Sequence, residues 1–182
     1  SGTLPAGITF TDNHNGTAKL SGTPTATGTY TLTITAQNGV APNATQTFTL
    51  KVIASPLITS ASSATFTKSS ASSFTITTSG YPVPTISISG TLPAGITFTD
   101  NHNGTAKLAG TPTATGTYTL TITAQNGVTP NATQTFTLKV VTPPLITSGS
   151  STIFIKSSAS NFTITTSGYP VPTISISGTL PA

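Results

Sequence analysis

Two short stretches hold the residue types that could do chemistry. Asp12 lies two positions before His14, and Asp100 lies two positions before His102. Zinc sites take about three or four protein ligands, and calcium sites take about six to eight oxygens, several of them from carboxylates. One Asp and one His in each stretch are too few for either ion. The sequence therefore predicts no metal site and no cofactor.

The same residues are also poor candidates for hydrolysis. A Ser-His-Asp triad needs an acid that orients the far nitrogen of the imidazole, and neighbours on one tight turn rarely do so. The pairs Asn15-Gly16 and Asn103-Gly104 instead favour hairpin turns in which they supply positive φ. We predict that the chain has no catalytic residues and is not an enzyme.

A covalent staple between a lysine and an asparagine is a separate possibility. Lys68 or Lys139 could approach an Asn, but that reaction needs a buried carboxyl as a proton shuttle. Asp100 lies on a turn that we expect to be exposed, so an isopeptide bond is not predicted.

Further candidates are modification sites and aromatic side chains. Tyr30 and Tyr118 follow a Gly-Thr at the start of a predicted strand, where a tyrosine corner would bond its hydroxyl to nearby backbone. Tyr81 and Tyr169 precede "PVP" in a turn, where packing is favoured over contact with sugars or neighbouring subunits. Five Asn-X-Thr triplets permit N-glycosylation, although such triplets also arise by chance in a chain with 44 threonines: Asn15, Asn43, Asn103, Asn131 and Asn161.

Composition excludes several classes of function. The chain has only six Lys or Arg and two Asp or Glu, and its lysines are isolated, so no basic stripe could follow a nucleic acid. It has no cysteine, which excludes disulfides and thiol chemistry. No apolar run is long enough to span a bilayer. Threonine hydroxyls supply most of the polar surface, and β-branched threonine favours strands.

The elements that position these residues recur. A shift of 88 positions aligns residues 1–94 with residues 89–182 with ten mismatches. Apolar side chains alternate with Thr or Ser, as in "GTYTLTITAQ", and Gly, Pro and Asn clusters separate the alternating runs. This pattern predicts an all-β fold of tandem antiparallel β-sandwiches with about seven strands per repeat. The predicted strands of one repeat are 64–68, 73–78, 85–89, 95–99, 105–109, 117–125 and 133–141, labelled A to G.

Prolines indicate where one predicted domain ends and the next begins. Pro56 and the pair Pro143-Pro144 predict short, extended inter-domain linkers because proline lacks a ladder N–H. We therefore expect residues 1–55 to hold strands D to G of one repeat, residues 56–143 to be a complete repeat, and residues 144–182 to hold strands A to C of the next. Because "SGTLPA" occurs at both ends, an excerpt from a longer array is favoured over half-domains that complement each other between subunits.

The motifs resemble a known family. "LPAGITF", "LSGTPTATGTYTLTITAQNG" and "TQTFTLKV" are similar to blocks of the bacterial putative-Ig repeat family, which is related to cadherin-like and dystroglycan-type Ig domains. The resemblance implies Ig-like sandwiches in tandem within exported surface proteins of prokaryotes, with no catalytic residues. Relatives often read like "DNGDGT" in the D–E turn, and Asn103 here replaces the second acid, which argues against calcium.

Together these observations predict a structural role. We expect an extracellular or cell-surface stalk, fibre or filament in which sheet hydrogen bonds resist extension, with an axial repeat of roughly 30 Å or somewhat more. The expected partners are neighbouring copies of the repeat, end to end and laterally, and glycans. Two alternatives stay open: adhesin repeats that bind polysaccharide or another cell, and spacer modules of a larger secreted enzyme.

Overall fold

The computed structural model describes residues 1–180, and these residues form strands and connecting turns only. No helix of a length and apolarity that could cross a membrane is found among them. The strands are β1 (Ile8–Asp12), β2 (Ala18–Gly22), β3 (Gly28–Ala36), β4 (Ala44–Val52), β5 (Ala54–Ile58), β6 (Ser63–Thr67), β7 (Ser72–Tyr81), β8 (Thr85–Ser89), β9 (Ile96–Asp100), β10 (Thr105–Gly110), β11 (Gly116–Gln125), β12 (Ala132–Ile146) and β13 (Thr166–Tyr169).

Strands β5 to β12 form a complete sandwich, which we call the central unit. One sheet has the order β5-β7-β10-β9, and the other joins β8, β11 and β12. In the predicted labels, β7, β10 and β9 are B, E and D, and β8, β11 and β12 are C, F and G, which are the two sheets of a constant-type Ig domain. Strand β6 is the predicted strand A, and β5, which was not predicted, takes the edge position beside strand B. The predicted tandem Ig-like sandwich is confirmed. One pairing differs from the antiparallel expectation, because β6 runs parallel to β12.

The core of the central unit follows from the alternation of apolar and hydroxyl side chains. In β11, Leu120, Ile122 and Ala124 are buried, whereas Thr119 and Thr121 are exposed. They pack with apolar side chains from both sheets, and burial of each large side chain contributes about 1.5–3 kcal/mol. The remaining buried cluster is Phe66, Ile76, Ile86, Ile96, Ala106, Leu108, Phe136, Leu138 and Val140.

The segments around the prolines are strands, not irregular linkers. Pro56 is buried within β5, and Pro143 and Pro144 lie within β12. In both places the register shifts, between Ala54 and Leu57 and between Thr142 and Leu145. The missing proline N–H therefore falls where the ladder is already interrupted. Whether these prolines act as inter-domain linkers stays a prediction.

Residues 1–53 form only the second half of a sandwich. Strand β1 pairs with β2, and β3 pairs with β4, in the registers that their counterparts β9, β10, β11 and β12 have in the central unit. We call this part the first unit. Its four strands lie within residues 1–55, and the division of the chain into domains stays a prediction.

Residues 144–180 are less regular than predicted. The end of β12 pairs with β13 in the register of β5 with β7. The positions that correspond to β6 and β8 are not strands here. In the central unit β6 pairs with β12, and β8 pairs with β11. Within the described residues, no strand that corresponds to β11 or to the paired part of β12 lies beside residues 144–180. Of the predicted third part, residues 181 and 182 lie outside the described residues.

Candidate functional site

The Asp100 turn is the most polar constellation of the central unit. The carboxylate of Asp100 accepts a hydrogen bond from the backbone N–H of Ile86 at 3.0 Å and another from the N–H of His102 at 3.0 Å. Asn103 accepts bonds from the N–H and hydroxyl of Thr105. Positive φ occurs at His102 (57°) and Gly104 (83°), so the prediction that Asn103 shares it is wrong.

The expectation of an exposed Asp100 is also wrong. Its side chain is only 12% exposed, because strand β8 lies against it, whereas the side chain of His102 is 79% exposed. The His102 Nδ1 lies 3.4 Å from the Asp100 carboxylate, and the rest of the imidazole is open to solvent. The carboxylate already accepts two backbone bonds, so it holds β8 to the turn. Within residues 1–180 no group of three or more His, Cys, Asp or Glu side chains could hold a metal ion.

The copy of this turn in the first unit is different. Asp12 accepts the N–H of His14 at 2.9 Å, and His14 Nδ1 again lies 3.4 Å from the carboxylate. The Asp12 side chain is 57% exposed, because no strand corresponding to β8 covers it within the described residues. The same sequence therefore gives a buried anchor in one unit and a solvated turn in the other.

The lysines considered for an isopeptide bond are both on the surface. Lys68 and Lys139 are exposed, and Lys139 lies on β12 opposite Thr65 and Thr117. The five Asn residues of the glycosylation triplets are exposed as well, which makes them accessible but does not test their modification.

Asn126 makes structural contacts that the sequence analysis did not predict. Its side-chain amide donates to the carbonyl oxygens of Ala54 at 2.9 Å and Pro82 at 2.8 Å, and its oxygen accepts the N–H of Val128. It thus ties the β11–β12 turn to the start of β5 and to the turn after β7. The Asn-Gly pair indicated a turn, but no local signal pointed to these distant partners.

The tyrosines make backbone and inter-unit contacts. The hydroxyl of Tyr30 donates to the carbonyl oxygen of Ala26 at 3.3 Å, and the Tyr118 ring packs beside Gly116 and against the core. Their assignment as tyrosine corners stays a prediction. Tyr81, whose hydroxyl lies 3.0 Å from that of Thr29, joins the central unit to the first unit.

An apolar groove lies on one side of the first unit. It has a volume of about 350 Å³ and is lined by Leu4, Phe10, Leu20, Leu32 and Ile34 among others. We call this side of β1 to β4 the open face. The counterparts of its side chains in the central unit belong to one apolar cluster with Phe66 of β6, Ile76 of β7 and Ile86 of β8.

A comparison with models of protein families shows which family the chain belongs to. The model of the family described as "Putative Ig domain" (He_PIG) matches residues 1–53 and residues 55–141. The chain belongs to this family. The two matched ranges of the He_PIG family cover β1 to β4 and nearly all of β5 to β12. No match to a curated protein was found.

Solved structures similar to this He_PIG chain include titin domains and a glycoside hydrolase. A chimeric titin Z1Z2 with an exogenous decorin peptide is 25% identical, with a TM-score of 0.42, over 50% of this chain and 99% of that chain. A three-Ig segment of titin is 20% identical, with a TM-score of 0.46, over 79% of this chain and 52% of that one. An endo-fucoidan hydrolase of glycoside hydrolase family 107 is 23% identical, with a TM-score of 0.40, over 77% of this chain and 23% of that one.

Proposed function

We propose that this He_PIG chain is a non-catalytic structural segment of an extracellular stalk, fibre or filament. Membership of a repeat family of Ig-like domains supports a role as a structural module. The residues that could do chemistry support it too, because the Asp100 carboxylate is used to hold backbone.

The observation that carries the proposal is the continuity of β12. This strand of 15 residues pairs with β11 and β6 in the central unit and then with β13 of the following repeat. A load on one repeat therefore passes to the next through a hydrogen-bonded strand, with no flexible loop between them. Such a connection suits a load-bearing array better than a freely moving spacer.

The hydroxyl-rich, weakly charged surface also suits a solvent-exposed array whose copies lie side by side. Exposed strand positions are mostly Thr, as in β11, and only eight residues of the chain are charged, six Lys and two Asp. Weak electrostatic repulsion would allow repeats to lie side by side, and the exposed Asn-X-Thr triplets could carry glycans.

Labelling of intact source cells tests the proposal. An antibody raised against residues 1–182 should label the surface of unpermeabilised cells, and electron microscopy of the native protein should show an elongated particle. A cytosolic protein of the same cells is the control for intact membranes. Labelling that requires permeabilisation, or a compact particle, would contradict the proposal.

A further inference from the structure

We propose that Asn103 and its copy Asn15 are sites of spontaneous covalent modification, because the turn that holds each of them promotes cyclisation and deamidation of the side-chain amide. Asn103 precedes Gly104 in the turn between β9 and β10, and Asn15 precedes Gly16 in the turn between β1 and β2. The reaction needs only water and a solvent base, so the inference does not depend on where the protein works.

The chemistry is a ring closure between two neighbouring residues. A solvent base removes the proton from the backbone nitrogen of Gly104, and this nitrogen attacks the side-chain carbon Cγ of Asn103. Negative charge develops on Oδ1, the bond from Cγ to Nδ2 breaks, and Nδ2 takes up a proton and leaves as ammonia. Water then opens the cyclic succinimide, which gives aspartate or isoaspartate. No atom is oxidised or reduced.

Two donors already point at the oxygen on which this charge develops. Asn103 Oδ1 accepts hydrogen bonds from the backbone N–H of Thr105 at 3.1 Å and from the Thr105 hydroxyl at 2.7 Å. Donors at about 2.7–3.1 Å are those that stabilise the oxyanion of acyl-transfer reactions. The Thr105 hydroxyl in turn accepts a bond from Asn101 Nδ2 at 2.9 Å. This relay polarises the hydroxyl and strengthens its bond to Oδ1.

The turn also holds the nucleophile beside the carbon that it attacks. The bond from the Thr105 N–H closes a ring that contains both Cγ of Asn103 and the nitrogen of Gly104, so it folds the side chain over the following peptide. The carbonyl oxygen of Gly104 accepts two bonds from Thr78, from the N–H at 2.9 Å and from the hydroxyl at 2.8 Å. The peptide is therefore anchored to β7, which reduces the entropy that ring closure must lose.

Asn126 gives an internal contrast, since it also precedes a glycine and also accepts the N–H two residues later. Its Nδ2 donates to the carbonyl oxygens of Ala54 at 2.9 Å and Pro82 at 2.8 Å, and ring closure would break both bonds. The residue two positions later is Val128, which has no hydroxyl to donate to Oδ1. Asn103 is exposed, so its amide nitrogen can leave into water. The structure thus distinguishes a reactive Asn-Gly pair from a protected one.

The first unit repeats the reactive arrangement. Asn15 Oδ1 accepts the N–H and the hydroxyl of Thr17 at 3.1 and 2.6 Å, and Asn13 Nδ2 donates to the same hydroxyl at 2.9 Å. Each conversion replaces a neutral amide by a carboxylate, which is ionised at neutral pH. Because the chain has only two Asp or Glu residues, reaction at both turns would double its acidic residues. The protein would therefore lose positive net charge as it ages.

Peptide mapping of aged protein tests the proposal. The 182-residue polypeptide is made without N-glycosylation, because Asn103 also belongs to a glycosylation triplet, and is incubated in mildly alkaline buffer. Cleavage after lysine places Asn103 in peptide 69–107 and Asn126 in peptide 108–139, and fragmentation separates Asn103 from Asn101. We expect Asn103 to react about tenfold faster than Asn126, and faster than it does in the same polypeptide denatured in guanidinium chloride.

Three variants test the role of the relay. Thr105→Val removes the hydroxyl donor and should slow the reaction of Asn103 by about tenfold in the folded chain. Asn101→Ala leaves that hydroxyl in place but unpolarised, so it should slow the reaction by a smaller factor. Thr99→Val is the matched control, because Thr99 is exposed on β9 and lies outside the relay, and the rate should not change. Circular dichroism establishes that each variant is folded.

Three results would overturn the proposal. The first is a slower reaction of Asn103 in the folded chain than in the denatured one, and the second is a reaction of Asn126 that is as fast as that of Asn103. The third is an unchanged rate in both Thr105→Val and Asn101→Ala. If Thr105→Val does not fold, Asn101→Ala and the comparison with the denatured chain decide the question.

Discussion

Leu20 and Leu108 have nearly identical neighbours in sequence but different surroundings. Both lie in the same position of an antiparallel pair, β1 with β2 or β9 with β10. Leu108 is fully buried, and Leu20 is only half-buried. The difference comes from β7, which pairs with β10 and has no counterpart beside β2 within the described residues. Local sequence sets the strand, and a segment distant in the chain decides whether that strand is part of a core.

The largest expected effect concerns the aromatic at the centre of the G strand. Phe136→Ala should destabilise the central unit by about 3–5 kcal/mol, because its fully buried ring also packs against Phe74 with 4.9 Å between ring centroids. The copy of this change, Phe48→Ala, should cost less than about 1 kcal/mol in the first unit, where the ring is half-buried.

Hydrogen exchange measured by mass spectrometry separates the two units, since peptides that include residue 41 or residue 129 differ in mass. Equal losses of protection in the two units would show that the half-sandwich buries its ring as well as the complete one does.

A smaller effect is expected at the D–E turns. Asp100→Ala should destabilise the central unit by about 1–3 kcal/mol, since the Ile86 N–H loses its acceptor in a partly buried site. Asp12→Ala removes only the turn bond to His14 and should stay within about 0.5 kcal/mol in the first unit. Chemical denaturation followed by circular dichroism at the central-unit transition gives the first value. If Asp12→Ala has the larger effect on its own unit, the bond to β8 is not what stabilises the turn.

The smallest effect is expected at the contact between the two units. A double-mutant cycle of Thr29→Val and Tyr81→Phe should give a coupling of about 0.2–1 kcal/mol, because the two hydroxyls lie 3.0 Å apart in an exposed setting. The readout is amide exchange in β3 and at the end of β7. Strictly additive effects would mean that the hydroxyls do not interact in solution.

The strands and the sandwich could be predicted from the sequence because the Thr alternation is unbroken. Predicted strand C, 85–89, has the bounds of β8. Predicted strand D is shifted by one residue from β9, and strands E and F differ from β10 and β11 by one residue at one end. Strand β5 was missed because Pro56 indicated a break, and only the register shift beside it makes the proline compatible with a strand.

The sequence predicted the polar constellations less well than it predicted the strands. The bond from Ile86 to Asp100 spans 14 positions, and that from Asn126 to Ala54 spans 72. Turn residues such as Asn-Gly specify local backbone, and they carry no information about which distant backbone group will approach. The repeat predicted that equivalent positions of each unit would hold nearly the same residues. Whether those residues are buried could be predicted only by knowing which strands cover them.

The parallel pairing of β6 with β12 has a mechanical consequence. Strand β6 lies near the beginning of the central unit and β12 ends it, and five register pairs join them. Traction applied along the chain pulls these strands in opposite directions along their own axes. The hydrogen bonds between them are then loaded in shear and must fail together, whereas an antiparallel hairpin pulled from its open end unzips one bond at a time.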